Sequence, residues 1–121
     1  MKNRVLFVDD EEINLFIMQK RFESNYDVVT AISPLKALEI LETESETIKI
    51  VVTDLRMPEM DGLEFVEKAK ALYPNTNFFL LTGYEYNEEI DNAVKSGNVT
   101  KVFGKPFDFD EMNEVLASYG N

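Results

Sequence analysis

Apolar residues fall along this chain in two alternating rhythms, short continuous runs and longer stretches with apolar positions three or four apart. The runs Val5-Leu6-Phe7-Val8, Ile48-Lys49-Ile50-Val51-Val52 and Phe78-Phe79-Leu80-Leu81 have the length and the β-branched or aromatic content of strands buried on both faces. Asp27-Val28-Val29-Thr30-Ala31 and Lys101-Val102-Phe103-Gly104 read as strands too, but are more polar or shorter.

Each run is followed by a helical pattern. After Asp9-Asp10-Glu11-Glu12, the spacing puts Ile13, Phe16 and Ile17 on one side of a helix, with Leu15, Met18 and Phe22 widening the apolar stripe and acidic residues at the amino end, where the dipole favours them. Ser33-Pro34 is an N-cap with proline at the first helical position, and Leu35, Leu38 and Leu41 carry the core face to about Glu44. A third helix follows Asp61-Gly62 with Leu63, Val66 and Ala69 on one face and runs to about Tyr73, where Pro74-Asn75 stops it. A fourth, roughly Asn87 to Ser96, buries Ile90, Ala93 and Val94 and ends at Gly97. The last starts at Asp108 or Phe109 and repeats Phe109, Met112, Leu116 and Tyr119.

Five strands alternating with five helices through short links predict an α/β fold, a three-layer doubly wound (βα)5 domain with a parallel sheet and right-handed crossovers. The three wholly apolar strands belong in the middle and the two polar or short ones at the edges. The order 2-1-3-4-5 meets this, with its switch point between the first and third strands. At 121 residues, the chain is expected to form one domain over 1–121, large enough to bury about two-thirds of its unfolded surface.

Composition narrows the chemistry. The chain has no Cys and no His, which removes thiolate nucleophiles, disulfides, imidazole bases and the usual zinc ligands together. With 23 Asp and Glu against 12 Lys and Arg, the formal charge of -11 repels phosphate backbones, so no direct nucleic-acid partner is expected. The apolar run after Met1-Lys2-Asn3-Arg4 is too short for a signal segment or a membrane span, and the chain reads as cytoplasmic, with no membrane partner.

The predicted order brings Asp9 and Asp10, after the first strand, to Asp54 at the end of the third. Two like charges about 4 Å apart repel by roughly 4 kcal/mol at an effective dielectric of ~20, so such a cluster must hold a proton or recruit a cation. An all-oxygen site of this size suits Mg2+ or Mn2+. Thr82 after the fourth strand and Lys105 after the fifth reach the same edge. A cation, a hydroxyl and an ammonium facing a carboxylate are what a phosphoryl group on Asp54 requires, with Asp54 as the acceptor nucleophile.

The residues Val8-Asp9-Asp10-Glu11-Glu12, Val52-Thr53-Asp54-Leu55-Arg56-Met57-Pro58-Glu59-Met60-Asp61-Gly62, Thr82-Gly83 and Lys105-Pro106-Phe107 resemble the signatures of the response-regulator receiver domains of two-component signalling, the CheY-like family. The resemblance covers essentially the whole chain. It implies a signalling switch, phosphorylated on Asp54 by a histidine kinase or phosphotransfer protein, that turns over no external metabolite. It further implies Mg2+ bound directly by Asp10 and Asp54, largely through water by Asp9, and by the backbone carbonyl of Arg56. Thr82 and Lys105 would hold phosphoryl oxygens, and the Lys105-Pro106 bond would be cis. Gly62 would give the loop after Asp54 its tight re-entry into the third helix. Arg56 and Tyr84 would flank the route of the attacking water, and Tyr84 and Tyr86 are either loop aromatics or partner contacts. The kinase would dock on the first helix and the loop after the fifth strand. A downstream protein or effector domain would read the face made by helix four, strand five and helix five.

The chain departs from the family pattern at position 102, a Val where receivers usually carry the Tyr or Phe that swings inward on phosphorylation. The nearest aromatic is Phe103, so either Phe103 is core or the strand is bulged. The stretch from Gly97 to Lys105 is also one residue longer than is common. Alternatives are a degenerate receiver, serving as a constitutive interaction module with Lys105 as a structural partner of Asp54, and a small aspartyl phosphatase. The phosphatase would need a general acid where Arg56 stands. A flavodoxin shares the predicted fold, but Asp9-Asp10-Glu11-Glu12 would repel its FMN phosphate.

Overall fold

The computed structural model describes residues 2–83 and 86–119. Elements alternate strictly: β1 (Asn3–Val8), α1 (Glu12–Phe22), β2 (Tyr26–Ala31), α2 (Pro34–Glu44), β3 (Ile48–Asp54), α3 (Gly62–Leu72), β4 (Asn77–Thr82), α4 (Glu88–Lys95), β5 (Lys101–Gly104) and α5 (Phe109–Ala117). All neighbouring strands pair in parallel, in the order β2-β1-β3-β4-β5. The apolar runs occupy the centre, as the pattern predicts.

The alternation of side chains along these strands splits the core into two layers. Leu6, Val8, Val51, Phe78 and Leu80 pack against the helices α2, α3 and α4, and Val5, Phe7, Ile50, Val52, Phe79 and Leu81 against α1 and α5. The β4–β5 register runs without a shift, so Val102 faces the α4 layer and Phe103 the α5 layer, where it stacks on Phe79 at 5.9 Å. Phe103 is therefore core, and the strand is not bulged. The register irregularity of the sheet lies instead between Arg4 and Val5, where β1 meets β3.

Helix boundaries follow local chemistry. Ser33, Asp61, Asn87 and Asp108 each accept a hydrogen bond from the backbone N–H three residues on, capping α2, α3, α4 and α5. Gly97, at φ 87, takes the left-handed conformation that ends α4. The inward face of α1 differs from the expected one. Leu15, Met18 and Phe22 are buried, whereas Ile13, Phe16 and Ile17 are 61%, 57% and 46% exposed. Leu35 is likewise exposed, because Ala37 and Leu41 are the residues of α2 that meet the sheet, with Leu38 half-buried beside them. Tyr119 lies past the end of α5 and is partly exposed, although its ring meets Phe79 edge-on.

One glycine fixes the exit from the central strand. The Gly62 N–H donates to the Leu55 carbonyl at 2.8 Å, folding the loop after β3 back onto its own start. A Cβ at this position would lie 2.4 Å from the Asp54 carbonyl oxygen and 3.1 Å from Leu55 Cα, both backbone atoms that cannot swing aside. A Cβ at Gly104 would meet nothing within 4 Å. Gly62→Ala is therefore expected to cost about 2 kcal/mol or more in urea unfolding, in the range of overpacked cores, while Gly104→Ala is near neutral. Equal midpoints for Gly62→Ala and wild type would contradict this packing.

Candidate phosphoacceptor site

The carboxyl ends of the strands converge because their registers are aligned. Val8 pairs with Thr53, Asp54 with Leu81 and Thr82 with Gly104, so the residues that leave each strand emerge at one edge. The Lys105 N–H donates to the Thr82 carbonyl at 3.0 Å and the Leu55 N–H to Leu81 at 3.2 Å, tying the loops after β3 and β5 to β4. The Lys105-Pro106 peptide is cis.

Asp9, Asp10 and Asp54 each place a carboxylate oxygen within 4.8 Å of the others. Asp9 and Asp54 are buried and Asp10 is exposed, giving the cup a closed floor and an open rim. Lys105 reaches the same cluster, with its ammonium 2.6 Å from Asp54 Oδ1. Thr82 is buried on the neighbouring strand tip.

Burial is the main force on Asp9. It pushes the carboxyl above its ordinary range, the Asp54 charge adds to this, and hydrogen bonds from the Glu11 N–H at 2.9 Å and Asn14 Nδ2 at 3.2 Å oppose it. For Lys105, burial alone would lower the ammonium. The hydrogen bond and charge of Asp54, with Asp9 and Glu11 adding to them, reverse the balance and raise it.

The structure thus brings Asp9, Asp10, Asp54, Thr82 and Lys105 to one edge. Arg56 lies two residues beyond Asp54 with its side chain exposed, and Tyr84 lies outside the described residues. Asn14, on the first turn of α1, was not foreseen. Its spacing of five from Asp9 was the available signal, since one turn of helix returns that position to the strand tip. The donor set fits a small hard cation, because three carboxylates around one point have nothing but oxygen to offer.

A family model described as the response regulator receiver domain matches residues 5–117. The chain is 29% identical over 120 residues to "Sporulation initiation phosphotransferase F" of Bacillus subtilis, covering 98% of this chain and 94% of that protein. It is 33% identical over 113 residues to "Transcriptional regulatory protein ZraR" of Escherichia coli, covering 93% of this chain and 25% of that one. Among solved structures, a response regulator receiver domain protein of Clostridium thermocellum superposes with a TM-score of 0.86 at 26% identity, covering 97% of this chain and 93% of that one.

Because Asp9 holds its proton to higher pH than an ordinary carboxylate, the metal-free protein is less stable at neutral pH than this group allows at lower pH. The sign follows from linkage: a raised folded pKa gives stability that fades as pH rises through it. Mg2+ is expected to raise the melting temperature at neutral pH, and acidification to shrink that gain as protons compete. Asp10→Asn, which relieves a solvent-screened repulsion of about 1 kcal/mol, should stabilise the metal-free protein and blunt the Mg2+ response. Equal melting temperatures in Mg2+ and EDTA from pH 5 to 8 would contradict the cup.

Proposed function

Because the chain belongs to the response regulator receiver domain family, we propose that it is a phosphorylation-controlled switch that accepts a phosphoryl group on Asp54 from a histidine kinase or phosphotransfer protein. The observation that carries this reading is the pairing of a buried Asp54 with Lys105 at 2.6 Å, beside two further carboxylates. An oxygen of Asp54 attacks the phosphorus, the bond from phosphorus to the donor imidazole nitrogen breaks, and its electron pair leaves with the imidazole. Lys105 and the Thr82 hydroxyl take up phosphoryl oxygens as charge shifts onto them. Asp9, Asp10, Asp54 and the Arg56 carbonyl are the ligands we assign to Mg2+, with Mn2+ as a substitute. When bound, the ion supplies charge neutralisation between the carboxylates and the incoming phosphoryl group.

Two surface features support a protein donor. Ile13, Phe16 and Ile17 form an exposed apolar ridge on α1. Between α1 and the loop after β5, Asn14, Ile17, Arg21, Pro106 and Phe107 line a groove of about 370 Å3 that also reaches Asp9 and Lys105. An apolar ridge beside an acidic cup fits a helical protein donor better than a free metabolite.

Acetyl phosphate with Mg2+ is expected to phosphorylate wild type and not Asp54→Asn, with Lys105→Ala losing the label or the response to it. Ile17→Glu should slow transfer from a phosphohistidine protein at least tenfold and leave labelling by acetyl phosphate unchanged. Labelled Asp54→Asn, or no labelled wild type, would overturn the acceptor role. Parallel losses with both donors would overturn the docking ridge.

A further inference from the structure

Both oxygens of Asp9 already accept a hydrogen bond from the start of α1. Oδ1 takes the Glu11 N–H at 2.9 Å, and Oδ2 takes the Asn14 side-chain amide at 3.2 Å. An ionised carboxylate only accepts, so Asn14 must present its nitrogen to it. The first bond comes from the backbone and is fixed by the path of the chain, whereas the second depends on which side chain stands at position 14. Asn14 reaches Asp9 because its own N–H and that of Leu15 bond the Glu11 carbonyl, at 3.1 and 3.3 Å, which folds the first turn of α1 back over the strand tip. Its side chain is half-buried in the groove that also holds Asp9 and Lys105. Asp9 is only 6% exposed, so water has little room to take over either bond.

Two anchors, one on each oxygen, hold the plane of the Asp9 carboxylate. Turning that plane so that both oxygens face one cation breaks the Asn14 bond. Cations differ in whether they need such a turn: Mg2+ keeps several waters and is satisfied by few protein oxygens, whereas Ca2+ takes roughly six to eight oxygens and often both atoms of one carboxylate. Asp54 is restricted in part as well, since Lys105 holds its Oδ1 at 2.6 Å. Resting on the cation site read from Asp9, Asp10 and Asp54, we propose that Asn14 is a positioning residue that sets which cation the cup accepts. By pinning Oδ2 it withholds a two-oxygen carboxylate and favours Mg2+ over Ca2+. Asn14 acts through Asp9 and supplies no ligand atom itself. The selection serves the acceptor role, because an ion that keeps its waters has positions to yield to phosphoryl oxygens.

The test follows Mn2+ bound to the whole chain by electron paramagnetic resonance, with Mg2+ and Ca2+ as competitors. Asn14→Ala and the bulkier Asn14→Leu both remove the donor, and agreement between them separates loss of the bond from loss of volume. Removing an outer partner of a metal-binding carboxylate costs about tenfold or more in affinity, and that is the weakening expected for Mg2+ in both variants. The Ca2+ constant should stay or tighten, so the preference for Mg2+ falls by about the same factor. Gln19→Ala, an exposed change on the same helix, should leave both constants at their wild-type values. Equal weakening for the two ions would overturn the proposal, because Asn14 would then merely support the helix, and so would constants that do not move. A wild type that retains no Mn2+ would instead remove the cation site itself, and the proposal with it.

Discussion

A carboxylate buried at the tip of a central strand is costly to keep charged, and the compensation of Asp54 organises everything around it. Lys105 supplies the compensation directly at 2.6 Å, but Asp9 and Asp10 bring more negative charge to the same point. A lone ion pair there would be a structural feature, and removing its lysine would strand a buried charge. With two more carboxylates alongside, the site is left short of positive charge by construction. That deficit suits the site to a cation and, in the role proposed for Asp54, to a phosphoryl group brought in with it.

The fold creates this tension through its strand order. The sheet places β1 and β3 side by side at the switch point, and the parallel register carries both acidic tips out on the same edge. Two apolar layers, one on each face of the sheet, hold the strands firmly enough to support the crowding. Gly62, pressed against the Asp54 carbonyl, keeps the loop after β3 from spreading away. The same alignment places Thr82 between the acidic edge and a cavity on the α4–β5 side.

Much of this was legible in the sequence, for identifiable reasons. Strands buried on both faces, such as Val5-Leu6-Phe7-Val8, announce themselves as unbroken apolar runs, and their contrast with the more polar β2 and the short β5 gives the strand order. The gathering of Asp9, Asp10, Asp54, Thr82 and Lys105 follows from that order, since all of them sit just at or beyond strand ends. The inward face of α1 was not legible. Ile13, Leu15, Phe16, Ile17 and Met18 are apolar over most of a turn, so periodicity alone cannot choose which of them meets the sheet, and the path of the chain through Asp9 to Glu11 decides for Leu15 and Met18. The place of Tyr86 was equally hidden, because nothing in its spacing ties it to the cavity that it lines with Val94 and Val102.

The central claim is that distant acidic residues share one cation site facing Lys105, rather than contributing separately to a diffusely negative surface of charge -11. Titrating the protein with substoichiometric Mn2+ and recording backbone amide spectra tests this most directly, since the ion broadens only what lies near it. The account predicts early loss of the signals around Asp9, Asp10, Asp54 and Lys105 together, reversed by Mg2+. Gradual broadening spread over the acidic faces of α3, α4 and α5, with those four positions no more affected than the rest, would contradict it.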